Sequence, residues 1–242
     1  MNENETSNDA GPEQMRRRSA PRPARWALAL AGIAIAYSPS WLPPLIRAFN
    51  MEWILPWGER SPGPPAQILW NTLGVGLLLA FMFGVERRPL ASIGIRRPTG
   101  KQLEWALYLF GFAMTWQWLV HTFWPQGENA GETTIASQPI VAVVGLILSA
   151  AIFEEILFRG YPIERLAELT GRRWLAFAIT IPLFVAPHIA FFGVQWLWTA
   201  GVGTLAIYAL YAKTRNLPAC MLLHLCLNLP ILIPTIAHRI GG

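Results

Sequence analysis

Long apolar runs recur along this chain and constrain its fold more than any other feature. Seven runs approach or exceed the roughly 20 residues that carry a helix across a bilayer, at residues 26–49, 65–85, 103–123, 139–158, 174–191, 194–212 and 217–236. The first run is the least regular, because Pro39, Pro43 and Pro44 interrupt it. The composition agrees, since only 14% of the residues are charged, against about 25% in soluble domains.

These runs predict an all-α fold, a polytopic transmembrane helix bundle of about seven spans. Helices satisfy their own backbone hydrogen bonds, which the hydrocarbon core requires. Residues 1–24 are polar, contain proline and end in a basic cluster, so we expect a disordered cytoplasmic tail. Residues 25–242 then form one membrane domain.

The basic residues predict an orientation in the membrane. Sixteen of the nineteen Lys and Arg residues, including Arg159 and Arg165, fall on one side of a seven-span arrangement. Cytoplasmic loops are normally enriched in such residues. We therefore expect a multi-pass protein of the cell inner membrane, with its N-terminus in the cytoplasm and its C-terminus outside. The net charge of +5 suits anionic lipid headgroups and requires no nucleic acid; the oligomeric state is left open.

The fourth run carries ionisable residues, which are rare inside spans and usually functional. Glu155 and Arg159 are four residues apart in "EEILFRG", so they share one helix face and can form an ion pair. Glu154 is rotated from them by roughly 100° and has no partner on its own helix. We therefore expect its carboxylate to face the bundle interior, where it could act as a general base.

Two later runs carry further polar groups. "FVAPH" in the fifth run places Phe184 and His188 on one face, and "HLCLN" in the seventh does the same for His224 and Asn228. A carboxylate and an imidazole can activate a water, and a His–Asn pair can stabilise an oxyanion. Together with Glu154 they predict hydrolysis of an acyl bond, most simply a peptide bond. The alternative is that these groups only hold helices together.

These segments resemble the motifs of a known family. "EEILFRG", "FVAPH" and "HLCLN" are similar, in order and spacing, to E-E-x-x-x-R, F-x-x-x-H and H-x-x-x-N of the CAAX protease and bacteriocin-processing family, also called the abortive-infection family. "RRPLASIGIRRP" resembles the basic connector that often precedes the core of these proteins. The resemblance covers residues 86–230 and implies a protease core at about 103–238.

The resemblance implies an intramembrane endopeptidase similar to the type II CAAX prenyl proteases. It gives the activation of water to Glu154 and His188, and the oxyanion site to His224 and Asn228. The implied partner is a peptide or a membrane-anchored protein substrate, for which a prenylated CAAX-type tail is one candidate.

The same resemblance makes Glu155 and Arg159 a supporting ion pair. A metal is a separate question, because two His and one Glu are a known zinc set. Glu154, His188 and His224 would be the ligands. H-E-x-x-H is absent and the implied mechanism requires no ion, so we expect no bound metal, with a divalent metal such as zinc as the alternative.

Two other function classes compete with a protease. A non-proteolytic membrane scaffold or bacteriocin-immunity protein would keep the polar cluster to bind a partner. A small transporter would use Glu154 as a proton carrier, but no repeat relates the two halves of the chain.

Overall fold

The protein is described from a computed structural model, which covers residues 22–51, 63–127 and 129–240. The described residues contain no strand, so the predicted all-α class is confirmed. Most of the predicted tail at 1–24 lies outside them, and its last three residues already belong to the first helix. The helices are α1 (Arg22–Ala36), α2 (Ser38–Ala48), α3 (Pro64–Gly84), α4 (Gly100–Phe123), α5 (Ala130–Ala136), α6 (Ile140–Ser149), α7 (Tyr161–Thr170), α8 (Arg173–Phe192), α9 (Ala200–Thr214), α10 (Leu217–Asn228) and α11 (Leu232–Ile240).

The protein is an integral membrane protein, but the predicted count of seven spans is not confirmed. In the described ranges, four helical segments are long and apolar enough to cross a membrane, or five if the bent pair α1–α2 is one span. The four segments are Pro65–Gly84, Ile140–Thr170, Arg173–Phe192 and Leu217–Ala237. Residues 103–123 lie in the helix α4, whose polar residues make it less apolar than these four segments. Residues 194–212 divide into a 3₁₀ turn and α9, which has only 15 residues.

The central element is one continuous helix. α6 passes into a π-helical segment, Ala150–Gly160, and then into α7, so that the helix runs from Ile140 to Thr170. The predicted fourth span ended at residue 158, which was too early. Arg159, which the charge pattern grouped with the cytoplasmic loops, is fully buried inside this helix. The π-helical segment packs against α1, α3, α8 and α10, which places it in the middle of the bundle.

The N-terminal helices pack directly on this central element. α1 and α2 meet at a 70° bend. At residue 32, a β-carbon would lie only 1.8 Å from the Tyr161 hydroxyl, so Gly32 is what allows α1 to approach α7. Gly74 of α3 accommodates the Pro39 ring in the same way.

The connector between α3 and α4, residues 85–99, is packed against the start of α10. The Leu217 N–H donates a hydrogen bond to the Gly94 carbonyl at 2.8 Å. The Asn216 side-chain amide donates another to the Arg96 carbonyl at 3.0 Å. The segment predicted as a cytoplasmic connector is therefore fixed to the protein.

Ion pairs join this connector to the end of the central helix. Arg165 Nη2 donates to Glu86 Oε2 at 2.7 Å. Glu164 accepts a hydrogen bond from the Tyr211 hydroxyl at 3.0 Å and pairs with Arg215. The hydrogen bond from Glu164 raises the pKa of Arg215, so this guanidinium stays charged. These contacts hold α7, α9 and the connector together at one end of the bundle.

Candidate active site

One carboxylate, Glu155, accepts hydrogen bonds from side chains of two helices. Arg159 Nη1 donates a hydrogen bond to Glu155 Oε1 from the next turn of the same helix. His224 Nδ1 of α10 lies 2.7 Å from the same oxygen. Because a carboxylate oxygen accepts, His224 donates its Nδ1 proton here. Glu155 and Arg159 are both fully buried, so this arrangement fixes α10 against the central helix.

The π-helical geometry favours the contact between Glu155 and Arg159. Hydrogen bonds from i to i+5 replace those from i to i+4, so each residue turns the helix by less than the roughly 100° of an α-helix. Side chains four residues apart then stand more nearly in line. π-Helical segments are rare and frequent at functional sites, which makes residues 150–160 the first place to look for one.

Aromatic rings enclose the buried guanidinium of Arg159. Its Cζ lies 4.8 Å from the centre of the Phe184 ring and 4.2 Å from that of Tyr208. Its Nε and Nη2 have no hydrogen-bond partner among the described residues. The faces of the two rings therefore contribute to the stabilisation of this cation by cation–π interaction.

His188 of α8 is held in one tautomer. Its Nδ1 lies 2.7 Å from the carbonyl oxygen of Phe184. Since a carbonyl oxygen can only accept, Nδ1 carries the proton. A neutral His188 then presents an unprotonated Nε2, the nitrogen that can accept a proton.

Aromatic side chains surround His188, and sequence reasoning identified only one of them. Phe184 was placed on the same helix face, and its ring lies 4.5 Å from the imidazole. Trp196 stacks at 4.7 Å and Phe192 lies at 6.3 Å. The helical spacing of Phe192 from His188 is visible in the sequence. Trp196 follows a change of chain direction, so no spacing rule predicts its contact.

Glu154 differs from its neighbour Glu155 in having no hydrogen-bond or salt-bridge partner in the described part of the chain. It is only 8% exposed, yet no described residue gives its carboxylate a hydrogen bond or a salt bridge. It lies within electrostatic range of His188, as does His224. The central helix, α8 and α10 therefore bring Glu154, His188 and His224 into one region of the bundle interior.

Asn228 lies one turn beyond His224, at the end of α10. It is half-buried, and within the described ranges its amide has no hydrogen-bond partner. The structure thus leaves the amide of Asn228 available for a ligand, whereas His224 has one nitrogen committed to Glu155 and only Nε2 remaining.

Tyr37 is a site neighbour that the sequence did not reveal. It sits at the bend between α1 and α2, and its ring packs on Phe158 with centroids 5.2 Å apart. Its buried hydroxyl lacks a partner in the described part of the chain and lies within electrostatic range of Arg159. The prolines of the first apolar run allowed a shorter span followed by a re-entrant or interfacial piece, which agrees with the bend, but nothing in the sequence indicated the contact with Phe158.

The alternative zinc set is not assembled as a ligand group. Among the described residues, no three His, Cys, Asp or Glu side chains are arranged so that they could hold a metal ion. His188 and His224 each have Nδ1 engaged by the protein, an arrangement that metal-binding histidines also show and that leaves Nε2 of each ring. Because Glu154, His188 and His224 do not form such a group, the chemistry proposed below uses no metal, and the absence of a bound metal stays an expectation.

The part of the chain that carries these residues matches a known family. The family model described as type II CAAX prenyl endopeptidase Rce1-like matches residues 136–230. This interval contains all three motifs, so the resemblance predicted from them is confirmed across it. The connector, which was also included in the predicted resemblance, lies outside the match. No curated protein and no solved structure matches the chain.

Proposed function

Residues 136–230 match the Rce1-like family model, and on that premise we propose that this membrane protein is an intramembrane endopeptidase. It hydrolyses a peptide bond in a membrane-associated protein or peptide. A water molecule activated by Glu154 and His188 is the nucleophile.

The observation that carries the proposal is the unpaired carboxylate of Glu154. An acidic residue in the middle of a transmembrane helix costs about 3 kcal/mol or more. Glu155 offsets this cost through Arg159 and His224, whereas Glu154 has no such partner in the described ranges. A buried carboxylate without a structural partner, close to an imidazole, has the environment of a general base.

The proposed reaction begins with a proton transfer from water to the Glu154 carboxylate. The water oxygen attacks the carbonyl carbon of the scissile bond, while His188 Nε2 accepts the second O–H as a hydrogen bond and orients the attack. Glu154 then gives its proton to the leaving nitrogen as the C–N bond breaks. The products are a carboxylic acid and an amine, and Glu154 is again ionised.

His224 and Asn228 are the proposed donors to the oxyanion of the tetrahedral intermediate. Asn228 donates through its side-chain amide. A neutral His224 with its proton on Nδ1 has no N–H at Nε2, so donation from this ring requires the doubly protonated imidazolium. The Glu155 carboxylate, hydrogen-bonded to Nδ1, balances that charge.

The substrate is proposed at the level of chemical class. The name of the matched family denotes prenyl CAAX endopeptidases, so a prenylated C-terminal tail is one candidate, and a small membrane-bound peptide is the other. Cleavage near the cytoplasmic face of the cell inner membrane, with the N-terminus in the cytoplasm, stays an expectation, because the basic residues share one side only in a seven-span arrangement, whereas the described ranges give four or five spans.

The first test compares purified variants on reporter peptides. Glu154→Gln and His188→Ala should insert and fold but cleave about a hundredfold more slowly or worse, because general acid–base catalysis contributes at least that much. The matched controls are Glu104→Gln and His121→Ala, which change the same residue types at exposed positions of α4. The controls should cleave at the wild-type rate.

Full cleavage by either Glu154→Gln or His188→Ala would overturn the proposal. If the slow Glu154→Gln variant behaves as predicted, it is also the reagent for identifying the substrate. Uncleaved substrate should accumulate in cells that carry it, and should not accumulate with Glu104→Gln.

A non-proteolytic scaffold is the second candidate. The buried contact of Glu155 with Arg159 and His224 favours it, because this contact joins two helices and requires no substrate. A scaffold would keep its biological activity in cells after Glu154→Gln and His188→Ala, whereas a protease would lose it.

A further inference from the structure

Trp196 lies against His188 although it belongs to a different element. It is in the 3₁₀ turn Val194–Leu197, which follows α8, and it is 6% exposed. Its ring lies 4.7 Å from the imidazole with the planes 27° apart, and the Phe184 ring lies 4.5 Å away at 33°. Two rings at these distances and angles cannot share one face of an imidazole, so they enclose it.

Two glycines place Trp196 in this position. Gly193 ends α8 with φ of 82°, in the left-handed region that favours glycine, and turns the chain back. At Gly201, a β-carbon would lie 2.9 Å from the Trp196 carbonyl oxygen and 3.3 Å from its ring. The Thr199 hydroxyl donates to the same carbonyl at 3.4 Å. These contacts therefore fix the position of the Trp196 indole in the turn.

We propose that Trp196 is a positioning residue that sets the plane of the His188 ring. The Phe184 carbonyl fixes Nδ1, and the two enclosing rings fix the plane, so Nε2 points in one direction. The part of this role that concerns turnover rests on the proposed function; the part that concerns the placement of the ring does not.

The placement of the His188 ring can be observed without any substrate. The chain has 4 histidines, so selective isotope labelling of histidine gives a simple NMR spectrum of the purified protein. His188→Ala identifies the signals of His188. Trp196→Leu is the test variant, and Trp198→Leu is the matched control, because Trp198 lies two residues away and is 39% exposed.

In the wild type, the ring currents of the enclosing aromatics should shift the His188 ring protons upfield of those of the other histidines. In Trp196→Leu these signals should move downfield, whereas Trp198→Leu should leave them unchanged. Unchanged shifts in Trp196→Leu would overturn the proposal.

Kinetics form the second arm. Trp196→Leu should lower kcat about tenfold, because an imidazole that is free to turn orients the attacking water less well, with KM changed less than about twofold. Trp196→Phe, which keeps a smaller ring, should recover part of both the rate and the NMR shift, and it replaces the leucine variant if that one does not fold.

The NMR and kinetic measurements distinguish a failure of the proposed function from a failure of the positioning role. A wild type that cleaves nothing refutes the proposed function, while the spectra still decide whether Trp196 controls His188. A folded Trp196→Leu that cleaves at the wild-type rate refutes the positioning role and leaves the endopeptidase assignment intact.

Discussion

At the scale of the residue, Glu154 and Glu155 are neighbours with opposite environments. Glu155 accepts hydrogen bonds from Arg159 and His224 on a single oxygen, and it is fully buried. Glu154 has no such bond from any described residue. One carboxylate stabilises the fold and the other is available for chemistry, so their substitution should separate stability from activity.

Stability provides the measurement. Glu155→Gln leaves the buried charge of Arg159 without its counter-ion, and we expect the free energy of unfolding to fall by about 3–5 kcal/mol. Glu154→Gln replaces a buried carboxyl group that has no hydrogen bond or salt bridge from any described residue, so the free energy of unfolding should stay equal or rise. Denaturant or thermal unfolding of both purified variants in detergent tests this. Equal losses in the two variants would show that Glu154 has a structural partner.

The sequence predicts residue contacts only within one helix. Helical spacing predicts the contact of Glu155 with Arg159 and that of Phe184 with His188, because a helix turns by a known angle per residue. The bond between Glu155 and His224 joins residues 69 apart. It depends on how the central helix and α10 cross, and apolar patterning does not specify that crossing.

At the scale of the element, apolar runs predict where helices lie better than they predict where helices begin and end. α3, α8 and α10 lie where the runs predicted them. The central helix extends past its run because Glu164 and Arg165 find partners in Arg215 and Glu86. A hydropathy pattern counts these charges as the end of a span, since it cannot show that they are paired.

A glycine tests how tightly the central helix packs. At Gly160, a β-carbon would lie 2.7 Å from Leu217 Cδ2 and 2.8 Å from the backbone oxygen of Ile93. Gly160→Ala should therefore displace the connector or α10 and lower the free energy of unfolding by about 1–3 kcal/mol. Gly111→Ala in α4 is the control, since nothing lies within 4 Å of its β-carbon; it should gain up to about 1 kcal/mol from helix propensity. Thermal unfolding in detergent compares them, and a Gly160→Ala variant as stable as Gly111→Ala would contradict this packing.

At the scale of the whole molecule, the candidate site is assembled from both ends of the chain. The family match begins at residue 136, yet Tyr37 packs on Phe158 and Gly32 receives Tyr161. The sequence indicated the membrane domain and its polar groups. It did not indicate that the first helices support those groups, because such packing leaves no periodic signal.

Metal dependence is a property of the intact protein. We expect cleavage to stay within about twofold after dialysis against a chelator, because no group of three His, Cys, Asp or Glu side chains among the described residues is arranged to hold an ion. Elemental analysis of the purified protein should find much less than one zinc per chain. Loss of cleavage that zinc restores would reinstate Glu154, His188 and His224 as ligands.

The unbroken helix from Ile140 to Thr170 has 31 residues, which corresponds to a rod about 46 Å long. The hydrocarbon core of a bilayer is only about 30 Å thick. The surplus length must tilt or emerge among the lipid headgroups, with Glu164 and Arg165 at its emerging end. A change in acyl-chain length would therefore change the tilt of the helix that carries Glu154 and Glu155, so the thickness of the bilayer would affect the site.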